Sequence, residues 1–257
     1  MSLDLEHYRR IIELEIGKFP RKDVNITKDF RDIGLQYLGI SHAHLRKLKI
    51  EEIYLLSVED QFEIFTYCFH TSEIFEVLTY VLINLDSISV ELLFSRKEDV
   101  VKLSYDIEHW IHSDLLSKIY ANLVNYKKSF LHFLGEFTIN GNSWQKRLSL
   151  TSLVYYASQR KNILQFELVI QKVKMLLSEK DYYVQKGLGW TLKELYTLYP
   201  EETLEFLEIY IKDISADAFG AATEKLPLGT KDNLKEIRKN SASNPDEFEK
   251  KPAYERL

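Results

Sequence analysis

The chain has 257 residues with 9 Gly, 5 Pro, one Cys and a formal net charge of −5. So few turn formers exclude Gly-rich nucleotide loops, many-turned β-sandwiches and Pro-rich disorder, while a lone cysteine, Cys68, excludes an intramolecular disulfide and a Cys-based zinc cluster. The mean charge conceals a gradient, because residues 1–119 carry 14 basic and 21 acidic side chains, residues 120–195 carry 11 and 5, and residues 196–257 carry 9 and 13.

In chain order, the opening MSLDLEHYRRIIELEIGKF is too charged for a signal peptide, so a reducing, cytoplasmic setting is expected. Leu5, Tyr8, Ile11, Ile12, Ile16 and Phe19 recur at helical spacing and predict a first amphipathic helix that closes at Phe19-Pro20. Breaks at Gly39 to Ser41, Ser57 to Asp60, Thr71-Ser72 and Asp86-Ser87 bound the next helices, and several supply Ser or Asp as N-caps. The run Ile74 to Leu85 contains Glu76 and falls short of the roughly 18 apolar residues of a membrane span, so it reads as a core helix and no membrane is expected. Later breaks lie at Ile139 to Ser143, Ser178 to Asp181 and Tyr199-Pro200, with Leu164, Leu168, Ile170, Val173, Met175, Leu176 and Leu177 marking a helix between the first two. From Asp181 to Pro227 the order helix, Pro200, helix, Ser215, helix has a spacing close to HEAT-type helical pairs. The expectation is an all-α chain of about twelve to fourteen helices, an α-α superhelix, C-shaped with a concave binding face. One domain is predicted over residues 1–228, with 229–257 as a polar helix and loose tail.

The usual catalytic signatures are missing: Gly187-x-Gly189 does not extend to a dinucleotide fingerprint, and no Walker loop, G-x-S-x-G or HExxH is present. His109 and His112, three residues apart with Asp106 and Asp114 nearby, either hold a metal or sit on an ordinary exposed helix face; lacking a further ligand, no metal and no cofactor are expected. His42 and His44, two apart, do not face each other on a helix. Trp110 and Asp114 stand one turn apart and project from one face, a pattern shared by core tryptophans beside exposed acids and by sites. Two later stretches place tryptophan beside cations: Trp144 and Arg147 in NSWQKRLSLTSLVYYA, and Lys186, Trp190 and Lys193 in DYYVQKGLGWTLKEL. Together with Lys127, Lys128, Lys146, Arg160, Lys161, Lys172 and Lys174 they form either solvated helix faces or the electrostatic footprint of a nucleic acid.

On HWIHSD at 109–114, NSWQKRLSL at 142–150 and YYVQKGLGWTLKELY followed by YPEETLEFL at 182–207, with YLGISHAHLRKL at 37–48 in support, the chain resembles the AlkD-like DNA alkylation repair enzymes, the HEAT-like-repeat DNA glycosylases. The resemblance runs from about residue 5 to residue 227. It implies that Trp110 and Trp190 flank a cleft, that Asp114 is the catalytic carboxylate, that Arg147 grips backbone phosphate, and that Lys146, Lys186 and Lys193 assist it. The implied partner is double-stranded DNA with alkylated bases, bound by a monomer. The reaction is hydrolysis of the N-glycosidic bond of N3- or N7-alkylated purines without need of a deep base-flipping pocket.

Two departures from the family stand out. The chain is acidic where members are usually basic, and ISADAFGAATEKLP at 214–227 carries Ala218 and Phe219 where a phosphate-seeking pattern is expected. The competing reading is a non-catalytic solenoid that binds nucleic acid or protein. Asp114 separates the two, because a carboxylate on a phosphate-binding face repels DNA and gains nothing without chemistry.

Overall fold

The computed structural model describes residues 3–21, 33–155 and 163–243. Arg160, Lys161 and the tail beyond residue 243 lie outside the described residues. Residues up to Phe133 form one compact unit and those from Leu134 a second. The first contains α1 (Leu5–Gly17), α2 (His42–Lys47), α3 (Glu51–Tyr54), α4 (Val58–Thr71), α5 (Phe75–Leu85), α6 (Val90–Ser95), α7 (Lys97–Lys102) and α8 (Trp110–Tyr126). After α9 (Leu131–Asn140), the second contains α10 (Ser143–Val154), α11 (Phe166–Leu176), α12 (Tyr182–Leu198), α13 (Pro200–Ile209), α14 (Ala216–Ala222) and α15 (Leu228–Ser243). The fold is all-α, and the only strand-like feature among the described residues is an isolated bridge between Gln36 and Ile74. The helix count exceeds the expectation because α2, α3, α6 and α7 are single-turn to six-residue pieces, too short to show a helical period in sequence.

Helix starts follow local chemistry. Asp4, Ser41, Ser57, Ser89, Asp181 and Ser215 each accept a first-turn N–H, Asn142 and Gln145 form a reciprocal capping box, and Pro200 opens α13, where its missing N–H costs nothing. Helix α5 is buried almost all round, as its apolar run predicts, and so it buries Glu76. The carboxylate is met by the loop ahead of α2: Glu76 Oε1 accepts N–H from Leu38, Gly39 and Ile40 at 3.1, 2.7 and 3.1 Å, and Oε2 accepts from Leu38 at 2.9 Å. Gly39 turns that loop at a φ of 79°, a conformation costly for other residues.

In the second unit α12 packs against both α10 and α14. Gly187 and Gly189, two apart, point to roughly opposite sides of the helix, at about 100° per residue. A Cβ on Gly187 would stand 2.9 Å from Arg147 Cγ on α10. One on Gly189 would overlap the Ala218 carbonyl oxygen and stand 2.8 Å from Ala221 Cβ on α14. The glycine pair that resembles a truncated nucleotide loop is thus a close-packing device. It also explains the apolar 214–227 segment, since Ala218, Phe219 and Ala222 are buried.

Beyond residue 228, α15 continues as a packed helix. Leu234 is buried, and the Arg238 guanidinium donates to the Ile211 carbonyl at 3.1 Å over the Phe219 ring. Among the described residues no helix is long and apolar enough to cross a membrane.

Candidate active site

Helix α8 starts at the His109 cap, whose Nδ1 accepts the Ile111 N–H at 3.2 Å. One turn in, His112 is wholly buried, stacked on Phe75 at a ring separation of 4.2 Å. Its Nε2 lies 3.2 Å from the Phe75 carbonyl oxygen and 3.0 Å from Thr79 Oγ1. A carbonyl only accepts, so this nitrogen carries a proton, and a second one on Nδ1, which is buried with no hydrogen-bond partner among the described residues, would be unpaired. Burial, then the neighbouring His109, pushes the His112 pKa down to about 3. The pair considered as metal ligands therefore serves to start and anchor α8, and no three metal-capable side chains gather among the described residues.

Along α8, His112, Ser113, Leu116, Ser117, Ile119, Tyr120, Leu123 and Val124 are buried; Ile111, Leu115 and Asn125 are half-buried, as are Trp110, Asp114 and Lys118, and Asn122 is exposed. The four-residue step aligns these last four as one open stripe. Trp110 and Asp114 are brought together as their spacing predicts. The stripe offers an indole face and a carboxylate on a helix whose opposite side is locked into the core.

In the second unit, Lys186, Trp190 and Lys193 form the corresponding half-open stripe of α12. Trp190 stands 5.9 Å from the Tyr155 ring, Lys186 lies over Tyr182 at 5.7 Å, and Lys193 pairs with Glu224 at 2.9 Å. That lysine's hydrogen bond holds the Glu224 carboxyl below the usual carboxylate range. Lys146 and Arg147 part company despite adjacency. Lys146 pairs with Glu179, while Arg147 is only 6% exposed, and its Nη1 donates to the Tyr183 carbonyl at 2.9 Å as the side chain passes over Gly187. The neighbouring Trp144 packs on Tyr183 with ring centroids 4.7 Å apart. Among the other cations, Lys127 covers Phe94, Lys174 covers Tyr210, and Lys172 is half-buried near Thr138, with burial pushing its ammonium pKa down.

Sequence reasoning did not single out Lys118 or its partner Asp86, although the four-residue step from Asp114 was there to be read. It also missed Gly187 as the residue that makes room for Arg147.

Chemically, an indole and a carboxylate on one stripe suit a cationic, sugar-bearing substrate. The indole face attracts cations, and the carboxylate stabilises positive charge developing at carbon. The sequence pattern of the DNA alkylation repair enzyme family matches residues 14–226. A solved structure described as a "Predicted DNA alkylation repair enzyme from Enterococcus faecalis" shares the fold with a TM-score of 0.59 at 15% identity, over 76% of this chain and 90% of that one. No curated protein matches the chain. With the family pattern spanning well over half of its length, the chain belongs to the DNA alkylation repair enzymes, and its role lies in the repair of alkylated DNA.

Proposed function

We propose that the protein is a monofunctional alkylpurine DNA glycosylase that excises N3- and N7-alkylated purines from duplex DNA, with its helix pairs arranged as HEAT-like repeats. The observation that carries this reading is the α8 stripe. Trp110 and Asp114 share a half-open face of a helix that His112 anchors on its opposite side.

Alkylation at N3 or N7 leaves the purine cationic and already a good leaving group. As the N-glycosidic bond breaks, its electron pair goes to the base, which departs neutral, and positive charge develops on the deoxyribose. The Asp114 carboxylate stabilises that oxocarbenium-like sugar and orients a water, whose oxygen bonds to C1′ and whose proton passes to the carboxylate. Products are the free alkylated base and an abasic site. Trp110 attracts the cationic nucleotide through its ring face, and Trp190 is assigned to DNA with the cations of its own helix. Arg147, Lys146, Lys186 and Lys193 are assigned to phosphate, the latter three by exchanging or sharing their present partners.

The test is single-turnover excision of 7-methylguanine from duplex DNA. Asp114→Asn keeps the shape but deletes the charge, and its rate should fall on the order of a hundredfold, with affinity for undamaged duplex unchanged or raised. Excision by Asp114→Asn at the wild-type rate refutes the assignment. Tight duplex binding by a wild type that excises nothing would instead support a non-catalytic solenoid.

A further inference from the structure

The side chain that follows Asp114 along the open stripe of α8 is Lys118. Its ammonium is paired with the carboxylate of Asp86, the residue that caps the C-terminal end of α5, and the second Asp86 oxygen lies 3.5 Å from Asn122 Nδ2, one further turn along α8. Lys118 keeps 45% of its side chain exposed, whereas Asp86 keeps 20%. The arrangement is asymmetric: Asp86 is the sunken anchor, and Lys118 is the part that faces outward. The ion pair leaves the Lys118 ammonium on the open stripe one turn from Asp114, with its charge shared with Asp86.

That locus matters because a glycosylase carboxylate must work close to phosphates that it repels. On the stripe of Trp110, Asp114, Lys118 and Asn122, Lys118 is the cation. Four residues of helix rise about 6 Å, so a strand whose sugar faces Asp114 presents its flanking phosphate within reach of the Lys118 side chain. We propose that Lys118, sharing its charge with Asp86 until a phosphate takes it over, is a phosphate-contacting residue that seats the damaged strand against Asp114. The proposal rests on the reading of Asp114 as the hydrolytic carboxylate.

A mere clamp between α8 and α5 would use the same ion pair, and the two roles differ in sign. If the pair is only a clamp, Lys118→Gln and Asp86→Asn both loosen α8 and shift DNA affinity in the same direction. If Lys118 binds phosphate, Lys118→Gln weakens duplex binding severalfold and lowers the slope of log affinity against log salt by about 0.9. Asp86→Asn then strengthens binding, because the lysine no longer shares its charge.

Removing any acid near DNA raises affinity slightly, so the deciding measurement is the double variant. The gain from Asp86→Asn should disappear when Lys118→Gln is also present. The experiment uses the full chain with duplex DNA containing 7-methylguanine, reading equilibrium affinity across a salt series and single-turnover excision at saturating protein. Wild-type affinity and slope in Lys118→Gln, or an Asp86→Asn gain of equal size in both backgrounds, would overturn the proposal. If Asp114→Asn still abolishes excision in that case, the glycosylase reading stands and only the role of Lys118 falls. A wild type that binds no duplex even at low salt sinks both.

Discussion

Replacing His112 should change how the protein responds to acid, in a direction and amount set by its surroundings. The ring is fully enclosed among Phe75, Phe69, Thr79 and His109; its Nε2 faces the Phe75 carbonyl and the Thr79 hydroxyl, while its buried Nδ1 meets no hydrogen-bond partner among the described residues, so a second proton there would be unpaired. Burial holds the folded-state pKa at about 3, against an ordinary value of 6.5 for an exposed ring. Because the folded value lies below the unfolded one, the unfolded chain binds a proton that the folded chain refuses. The resulting stability is fully present above pH 6.5 and is lost as pH falls toward 3. Each unit of that window costs about 1.4 kcal/mol, or about 2 kcal/mol between neutral pH and pH 5. His112→Gln removes the titrating ring. The variant should be less stable at pH 8 through lost stacking on Phe75, by roughly 1–3 kcal/mol, yet the gap should narrow by about 2 kcal/mol at pH 5. The assay is urea denaturation of both proteins across pH 5–8, followed by circular dichroism. Parallel stability curves would show that His112 is not held neutral and that the buried anchor of α8 has been misread.

Three other consequences are open to measurement. Gly189→Ala drives a methyl into the Ala218 backbone carbonyl and should cost about 2 kcal/mol or more, whereas Gly220→Ala, with nothing near its added Cβ, should be neutral or slightly stabilising. Equal midpoints in urea for the two would contradict the close packing of α12 on α14. Glu76→Gln puts an amide donor where the carboxylate accepts from Leu38, Gly39 and Ile40, and about 1–3 kcal/mol of stability should be lost. Faster hydrogen exchange confined to residues 36–40 would place that loss at the loop. Arg147→Ala should lower the melting temperature as well as DNA affinity, because the buried guanidinium is bonded to the Tyr183 carbonyl. A drop in affinity with no loss of stability would mean the side chain works in the open.

Periodicity made the helices legible. An apolar residue every three or four positions needs no knowledge of its partners, and caps such as Ser57, Asn142 and Asp181, like Pro200 at the start of its helix, act within one turn of chain. The pairing of Trp110 with Asp114 is local for the same reason: one turn of helix aligns them wherever α8 sits. The fold class was therefore readable, as was the half-open stripe of α12 with Lys186, Trp190 and Lys193.

What the sequence could not disclose depends on contacts between residues far apart in the chain. His109 and His112 look like a metal pair in one dimension. Only the approach of Phe75 and Thr79, more than thirty positions away, makes one of them a neutral core anchor. Arg147 and Lys146 look alike as neighbouring cations, and only Gly187 and Tyr183 on α12 bury the first while Glu179 pairs the second at the surface. Glu76 seemed an interruption in an apolar run until the 38–40 loop supplied three amides. Lys118 stands one turn from Asp114 by local spacing, but only Asp86 at the end of α5 supplies its ion pair. Local spacing sets which face of a helix a side chain occupies; burial, and with it charge state and reach, is set by what packs against that face.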